Sequence, residues 1–528
     1  MRVRLILSLL ILCLFYLLLA FFSAELVVRI AGAAVPAESP GWFWQVPDRT
    51  TGWSLIPNSA GRYYKPIYEY NIEMSVNSRG LRGPEKIGYE KSPGVYRVLV
   101  LGDSYVEASQ VEFAESFPQR LGVLIQTQTG QPVQVINGGV IGWGNDQQLI
   151  WLQEEGYKYS PDLIVMSVYP RNDFMNNSEA LEAANQGQIL KPFFALEGNN
   201  LVRKYWPFDP ATVPAVESKQ AIVSPPEVKP GFLTPVGRLL YKYSALYRYI
   251  DPRLRAAVPH LAASLALTGL IEPGQETKEA AQPEDYLPLA YGVYRKEWDE
   301  DWQEAYRITA TIFQEFQRTA VGMGAIPAAV VLTAAEDVYP EEWEEALNNY
   351  PALRAVETDI EGPHQRAAEA LAQANVPALD LSNIIRERAF DGLMLHYPAD
   401  GHYTPAGHEL VAHALFNFLG EKGIVPFLTG HSVPLTVTAP ARTPWDWFVL
   451  AVLLLLVGSI VWNVVKVGPM RWLRQAGTGL STTVELLLYM ARQRQFVLLP
   501  LLVVLLAFAG LLILAQASVV GPFIYTLI

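Results

Sequence analysis

The chain has 528 residues, a formal net charge of −12 at pH 7 and a hydrophobic fraction of 51%. The acidic balance argues against a nucleic-acid partner, because phosphate binding requires a basic face. Cys13 is the only cysteine, which excludes an internal disulfide, a cysteine-rich metal site and thiol–disulfide chemistry.

The first predicted element is an apolar helix near the N-terminus. Residues 5–19 are apolar apart from one serine, and the run continues to residue 28 with Glu25 as its only charge. About 20 apolar residues cross a bilayer as a helix, so residues 1–30 are predicted to form a transmembrane anchor. A cleaved signal peptide is the alternative, but its candidate cleavage site, residues 31–33, follows both Glu25 and Arg29.

Residues 31–94 follow as a lead-in segment for which we predict β-type structure. The segment is rich in Trp, Tyr, Pro and Asn and ends in the stretch 77–83, Asn-Ser-Arg-Gly-Leu-Arg-Gly. Its aromatic side chains suit either sugar stacking or a small core: Trp42, Trp44, Trp53, Tyr63 and Tyr64.

The next region, residues 95–425, alternates predicted strands and helices. Short β-branched runs predict buried strands over residues 95–101, 133–137, 162–169, 328–333 and 376–381. Helical patterns occupy residues 113–129, 147–155, 294–319 and 363–374. Near-continuous apolar strands fit a parallel sheet covered on both faces, and their alternation with helices predicts a doubly wound α/β fold. A long insertion, residues 178–290, interrupts the pattern, and its size predicts a structure or function of its own.

Two further transmembrane helices are predicted at residues 447–465 and 496–515, after a linker over residues 426–444. The loop between them is basic, with Glu485 as its only acidic residue. Positive charge marks the cytoplasmic side of a membrane protein, and Arg2 and Arg4 place the N-terminus on that same side. Residues 445–528 are therefore two spans joined by a cytoplasmic loop, and residues 31–444 lie outside the cytoplasm. The C-terminal spans are interpreted as an anchor in the bilayer or as a docking surface for another membrane protein.

Candidate catalytic residues follow the first predicted strand and precede the last predicted helix. Ligands of a parallel sheet lie at the carboxyl ends of its strands, where Gly102-Asp103-Ser104 would present a hydroxyl group. A serine needs an imidazole base, and the imidazole needs a carboxylate to fix its tautomer. His402 and Asp400 supply both groups within three residues. The alternative for Gly-Asp-Ser is an ordinary turn or helix cap.

Two other loops contain candidate donors for an oxyanion hole. Gly142 lies in the glycine-rich residues 137–144 after the second strand, where backbone N–H groups approach a ligand closely. Asn172 follows the third strand and carries a side-chain N–H donor. A flexible turn at Gly142 and a helix cap at Asn172 are the alternative interpretations. The sequence has no metal-ligand pattern, phosphate loop or dinucleotide fingerprint, so neither a metal nor a cofactor is expected.

These four loops, in this order, resemble the sequence blocks of the SGNH (GDSL-like) hydrolase family. The resemblance covers roughly residues 70–420. It implies a flavodoxin-like three-layer α/β/α sandwich with Ser104 as nucleophile, His402 as base and Asp400 orienting the histidine. It further implies an oxyanion hole made of the Ser104 and Gly142 amides with the Asn172 side chain.

The sequence departs from the family pattern at two places. Pro170 stands where the third block usually has glycine, and only Gly401 separates Asp400 from His402. The shorter Asp-Gly-His spacing is familiar in membrane-anchored members. Residues 77–83 and 102–111, together with the N-terminal anchor, look like exported SGNH proteins of exopolysaccharide-modification systems. Residues 478–528 resemble a family of small uncharacterised bacterial membrane proteins.

The sequence therefore predicts a serine-nucleophile esterase or O-acyltransferase in the inner membrane of a bacterium, with its catalytic domain in the periplasm. The expected substrate is an acylated carbohydrate or another ester, with O-acetyl groups of an envelope or exported polysaccharide favoured. Hydrolysis and transfer share an acyl-enzyme and differ only in whether water or a sugar attacks it. The alternative from another class is a non-catalytic glycan-binding or scaffold subunit of a membrane polysaccharide-modification complex.

Overall fold

The structure, a computed structural model, describes residues 44–437 except 65–69, 86, 199, 217–230, 258, 272–285, 391 and 398–399, and in addition residues 21, 22, 25 and 29. Both predicted C-terminal spans lie outside these residues, as does most of the predicted N-terminal anchor. Within the part of the chain that the structure describes, no helix combines the length and apolar character needed to cross a bilayer.

Five strands form a central parallel sheet. The described strands are β1 (Gln45–Asp48), β2 (Gly52–Leu55), β3 (Ala60–Tyr64), β4 (Asn71–Ser75), β5 (Tyr96–Gly102), β6 (Val133–Gly139), β7 (Leu163–Val168), β8 (Phe193–Glu197), β9 (Asn200–Lys204), β10 (Ile326–Val331) and β11 (Ala378–Asp380). The sheet has the order β11-β10-β7-β5-β6, and its neighbouring strands are all parallel. The five strands predicted from β-branched runs are the five strands of this sheet, so the prediction of a parallel α/β sheet is confirmed.

Helices cover both faces of the sheet. The described α-helices are α1 (Ser104–Glu107), α2 (Phe117–Thr129), α3 (Asn145–Glu154), α4 (Pro170–Asn176), α5 (Glu179–Gln186), α6 (Thr234–Tyr243), α7 (Ala245–Ala257), α8 (Pro259–Thr268), α9 (Glu300–Gly322), α10 (Ala335–Val338), α11 (Pro340–Asn349), α12 (Gly362–Gln373), α13 (Ser382–Phe390) and α14 (Pro405–Glu421). Successive strand residues point to opposite faces, so Val98 and Val100 pack with α2 and α14 while Leu99 and Leu101 pack with α3, α9 and α12. This arrangement is compatible with a three-layer α/β fold.

The lead-in segment folds into two hairpins, β1–β2 and β3–β4. Their apolar side chains form a small core with Val140 and Trp143, which lie beyond β6 in the main domain. Trp44 is buried in this core, and the partly buried Trp53 and Tyr63 pack against it. Of the two roles that the sequence left open for these aromatic residues, sugar stacking or a small core, all three take part in a core. Trp42 lies outside the described residues.

The chain divides into two compact units, and the insertion contributes to both. In the unit that contains the sheet, the insertion supplies α5 and the β8–β9 hairpin. The second unit includes α6, α7 and α8. Within this second unit the Glu25 carboxylate accepts hydrogen bonds from the Ser244 hydroxyl (2.7 Å) and the Ala245 N–H (2.7 Å), which lie at the start of α7. Glu25, the one charge of the apolar run over residues 5–28, therefore has polar partners.

Candidate active site

The loop of the candidate nucleophile, Ser104, connects β5 to α1 at the carboxyl edge of the sheet. β5 ends at Gly102, and the Asp103 side chain caps the short helix that begins at Ser104. Ser104 is buried, with 7% of its surface exposed. A Cβ atom at position 102 would collide with the Ser167 side chain on β7, so glycine is required where the strand turns into the helix.

His402 lies between Ser104 and Asp400. Its Nε2 is 2.7 Å from the Ser104 Oγ, and its Nδ1 is 2.5 Å from the Asp400 Oδ1. In this order of contacts an imidazole can take the serine proton while the carboxylate holds the Nδ1–H. Gly401 has a φ of +80°, in the left-handed region that favours glycine, and it reverses the chain between the two side chains. The short Asp-Gly-His spacing is thus sufficient for a continuous Asp–His–Ser chain.

Hydrogen bonds from Tyr397, Gly401 and Tyr105 hold the turn that carries His402. The Tyr397 N–H donates to the His402 carbonyl (2.8 Å), and the Gly401 N–H donates to the Tyr397 carbonyl (2.7 Å). Tyr105 donates its hydroxyl to the Gly401 carbonyl (3.0 Å), and its ring lies 4.7 Å from the imidazole, centroid to centroid. The residue after Ser104 therefore helps to orient the His402 imidazole.

Two backbone N–H groups of the candidate site, those of Ser104 and Gly142, have no hydrogen-bond partner among the described residues. Gly142 has a φ of +79° in the loop after β6. Ser104 is buried and Gly142 is partly exposed. Their N–H groups are available to an oxyanion, the role that the family resemblance gives them.

Asn172 lies in the first turn of α4, beyond the carboxyl end of β7. Burial raises the pKa of Asp103, and a hydrogen bond from the Asn172 side chain is among the effects that oppose this rise. The Asn172 amide therefore lies near the loop that carries Ser104, and its NH₂ group has two hydrogens that can be donated to a ligand. Pro170 starts this helix at a position that requires no backbone donor, and it is compatible with Asn172 beside that loop.

The Glu107 side chain holds the glycine-rich loop, residues 137–144, a role that the sequence did not indicate. Its carboxylate Oε2 accepts the Ile141 N–H at 2.7 Å, directly before Gly142 in the chain. Burial raises the pKa of Glu107 to about 7, while the bond to Ile141 and the charge of Arg82 lower it. Glu107 is the last residue of α1, so the same short helix begins with Ser104 and ends with the residue that holds the loop after β6.

Three other buried histidines of the domain do not contact Ser104. His364 donates to two carboxylates, and its pKa is raised to about 10 by them. Burial lowers the pKa of His396 to about 4, and its Nε2 lies beside the Thr333 carbonyl. His408 accepts the Phe117 N–H through its Nδ1 (3.3 Å). Of these four histidines, only His402 has a serine against one nitrogen and a carboxylate against the other.

No three His, Cys, Asp or Glu side chains are arranged to hold a metal ion within the described residues. Residues 480–528 match the model of DUF5989, a family of unknown function. This match is compatible with the resemblance of residues 478–528 to an uncharacterised family, and it covers a segment outside the described residues. No curated protein matches the chain.

Proposed function

We propose that the chain is a serine-nucleophile esterase or O-acyltransferase of the SGNH hydrolase type. The observation that carries the proposal is the unbroken sequence of contacts from the Asp400 carboxylate through His402 to the Ser104 hydroxyl, at 2.5 and 2.7 Å. The order of the strands in the sheet adds support. Numbered along the chain it is 2-1-3-4-5, the flavodoxin-like order, and β5 and β7 flank the point where the order reverses.

The mechanism follows from these contacts. The Ser104 Oγ attacks the ester carbonyl while His402 Nε2 takes its proton, and Asp400 stabilises the resulting imidazolium. Hydrogen bonds stabilise the negative charge that develops on the former carbonyl oxygen. Their donors are the Ser104 N–H, the Gly142 N–H and the Asn172 side chain. His402 then protonates the departing alcohol, which leaves an acyl group on Ser104. Water releases that acyl group as an acid, or a sugar hydroxyl takes it as an ester.

The proposed substrate is an acylated carbohydrate of the envelope or of an exported polysaccharide. This part of the proposal depends on the sequence, in which the charges flanking the predicted spans put residues 31–444 on the periplasmic side of a bacterial inner membrane. The resemblance of residues 77–83 and 102–111 to exported polysaccharide-modifying proteins supports the same substrate class.

The test is covalent labelling of the full-length protein with a fluorophosphonate, followed by intact mass. We expect one adduct on the wild type and none on Ser104→Ala, with strongly slowed labelling of His402→Ala. Loss of a catalytic base costs about two to four powers of ten in rate. Ser109→Ala is the matched control, because Ser109 is a buried serine nearby that lies outside the proposed triad. A folded wild type without any adduct would favour the non-catalytic glycan-binding subunit instead.

A further inference from the structure

The Ile141–Gly142 peptide is held by two side chains of the lead-in segment. Gln45 Nε2 and Trp53 Nε1 each donate to the Ile141 carbonyl oxygen at 3.0 Å. A trans peptide is planar, and its C=O and N–H point in opposite directions. The two bonds therefore fix the direction of the Gly142 N–H, the proposed oxyanion donor. Hydrogen bonds to a carbonyl also polarise its peptide group, which strengthens the N–H as a donor.

The lead-in hairpin is itself tied to the loop that it holds. Trp143 Nε1 donates to the Trp53 carbonyl at 3.0 Å, and Gln147 Nε2 donates to the Thr51 carbonyl at 2.7 Å. The Trp53 ring also lies against Gly142, where a Cβ atom would stand 3.4 Å from its Cζ2. Bonds run in both directions between the hairpin and residues 141–147, so the hairpin and the oxyanion loop are positioned together.

The same lead-in segment reaches the other half of the site through Tyr70. Its hydroxyl donates to the Asp400 Oδ2 at 3.0 Å, on the carboxylate oxygen that does not face His402. Tyr70 is buried between the stacked ring of Tyr63 and the edge-on ring of Tyr397, at centroid distances of 5.7 and 5.4 Å. Burial and the charge of Asp400 raise the pKa of Tyr70 far above its ordinary value, so the hydroxyl remains a donor.

We propose that the lead-in segment positions both halves of the active site, with Gln45 and Trp53 orienting the Gly142 N–H and Tyr70 orienting Asp400. The three are positioning residues, since each acts on the reaction through another group. The proposal rests on the proposed function, because it assigns these residues to an acyl-transfer site.

The experiment measures p-nitrophenyl acetate hydrolysis and fluorophosphonate labelling by the full-length protein as a function of pH. Gln45→Leu and Trp53→Phe each remove one donor to the Ile141 carbonyl. A lost oxyanion donor costs about 100-fold or more, and a donor that is only misdirected is expected to cost about tenfold. The pH dependence of the hydrolysis and labelling rates should keep its shape in both variants, because neither residue contacts His402 or Asp400. If Trp53→Phe does not fold, Gln45→Leu tests the same carbonyl.

Tyr70→Phe removes only the hydroxyl and is expected to change the pH profile. Without the donor, the negative charge of Asp400 is less dispersed and holds the imidazolium more strongly. The acidic limb of kcat/KM should therefore move to higher pH, with a fall in the plateau of about three- to tenfold. Asp400→Asn should move the limb the opposite way, because it removes the charge that stabilises the imidazolium.

Tyr89→Phe is the matched control. It removes a tyrosine hydroxyl from the same lead-in segment, but that hydroxyl donates to the carboxylate of Glu155, which directly follows α3. We expect it to keep the wild-type rate and pH profile. Wild-type rates in the other three lead-in variants would overturn this proposal and leave the proposed function standing. The same conclusion would follow if Tyr70→Phe lowered kcat/KM at every pH without moving the acidic limb of the profile. A wild type that reacts with neither reagent would overturn the proposed function and this proposal with it.

Discussion

Two histidines of this domain bind carboxylates at the same edge of the sheet. One binds a single carboxylate and the other binds two, with opposite consequences for their ability to accept a proton. His402 binds Asp400 through Nδ1 and leaves Nε2 to Ser104. His364 donates Nε2 to Asp337 (3.1 Å) and Nδ1 to Asp380 (3.0 Å). An imidazole can act as a base only if one nitrogen is left to accept a proton. The comparison shows that the number of carboxylates, and not their presence, separates a candidate base from a structural cation.

The difference is also electrostatic. Burial by itself would lower the pKa of His364, but the hydrogen bonds and charges of Asp337 and Asp380 raise it to about 10. The His364 side chain is 2% exposed, and it joins α12 to α10 and to the end of β11. We call His364, Asp337 and Asp380 the His364 cluster. Its protonated imidazole forms internal ion pairs with both carboxylates, whereas the His402 side chain is 22% exposed and faces the Ser104 hydroxyl.

The largest expected effect comes from His402→Gln. Glutamine has a similar size but cannot accept the serine proton, so the rate of fluorophosphonate labelling should fall by about 1,000-fold or more. The melting temperature should stay within a few degrees of the wild type, because the site is partly exposed and contributes little to the core. Labelling at the wild-type rate would show that another group serves as the base.

His364→Gln should lower the stability of the protein and leave the labelling rate nearly unchanged. It leaves two carboxylates without the cation that bridges them, and removing one partner of a buried pair costs about 3 kcal/mol of unfolding free energy. Below the unfolding transition the labelling rate should stay close to that of the wild type, since His364 does not contact the Asp400–His402–Ser104 chain. Urea unfolding gives the stability, and labelling of the folded variant gives the activity. A stable but unreactive variant would contradict the comparison.

The sheet could be predicted from the sequence, and so could the candidate residues Ser104, His402 and Asp400 that the structure brings together, whereas the contacts that support them could not. The five strands are continuous apolar runs, and the candidates Ser104 and His402 stand in short motifs with local signals. Tyr70 and Asp400 are 330 positions apart in the chain, and no local pattern marks a contact at that separation. The His364 cluster was missed for the same reason, because its three side chains lie on α10, on α12 and at the end of β11 and meet only when the sheet is assembled.

A smaller effect should appear in the pH dependence of stability. The folded protein keeps the His364 proton up to a pKa of about 10, whereas an unfolded histidine releases it near its ordinary value of 6.5. Between these values the folded state binds more protons, so stability falls as pH rises, by at most about 1.4 kcal/mol per pH unit. The stability difference between the wild type and His364→Gln should therefore shrink from neutral to alkaline pH. A difference that stays constant would show that His364 is not held as a cation.

The smallest effect is expected from Asp380→Asn, which sharpens the comparison by giving His364 a single carboxylate. The bond and charge of His364 lower the pKa of Asp380 against the opposing effect of burial. The Asp380 side chain is 35% exposed whereas that of Asp337 is 4% exposed, so solvent screening limits the cost at neutral pH to about 1 kcal/mol.

Because the Asp380 pKa is lowered in the folded state, the contribution of this carboxylate is present above the pKa of an unfolded aspartate and is lost as the pH falls below it. The stability of Asp380→Asn should therefore approach that of the wild type in acid. At alkaline pH its stability should decline less steeply, since one carboxylate holds the His364 proton less firmly than two. Urea unfolding from acid to alkaline pH measures both trends. A curve parallel to that of the wild type would mean that Asp337 alone fixes the charge of His364, and the number of carboxylates would no longer explain the difference between the two histidines.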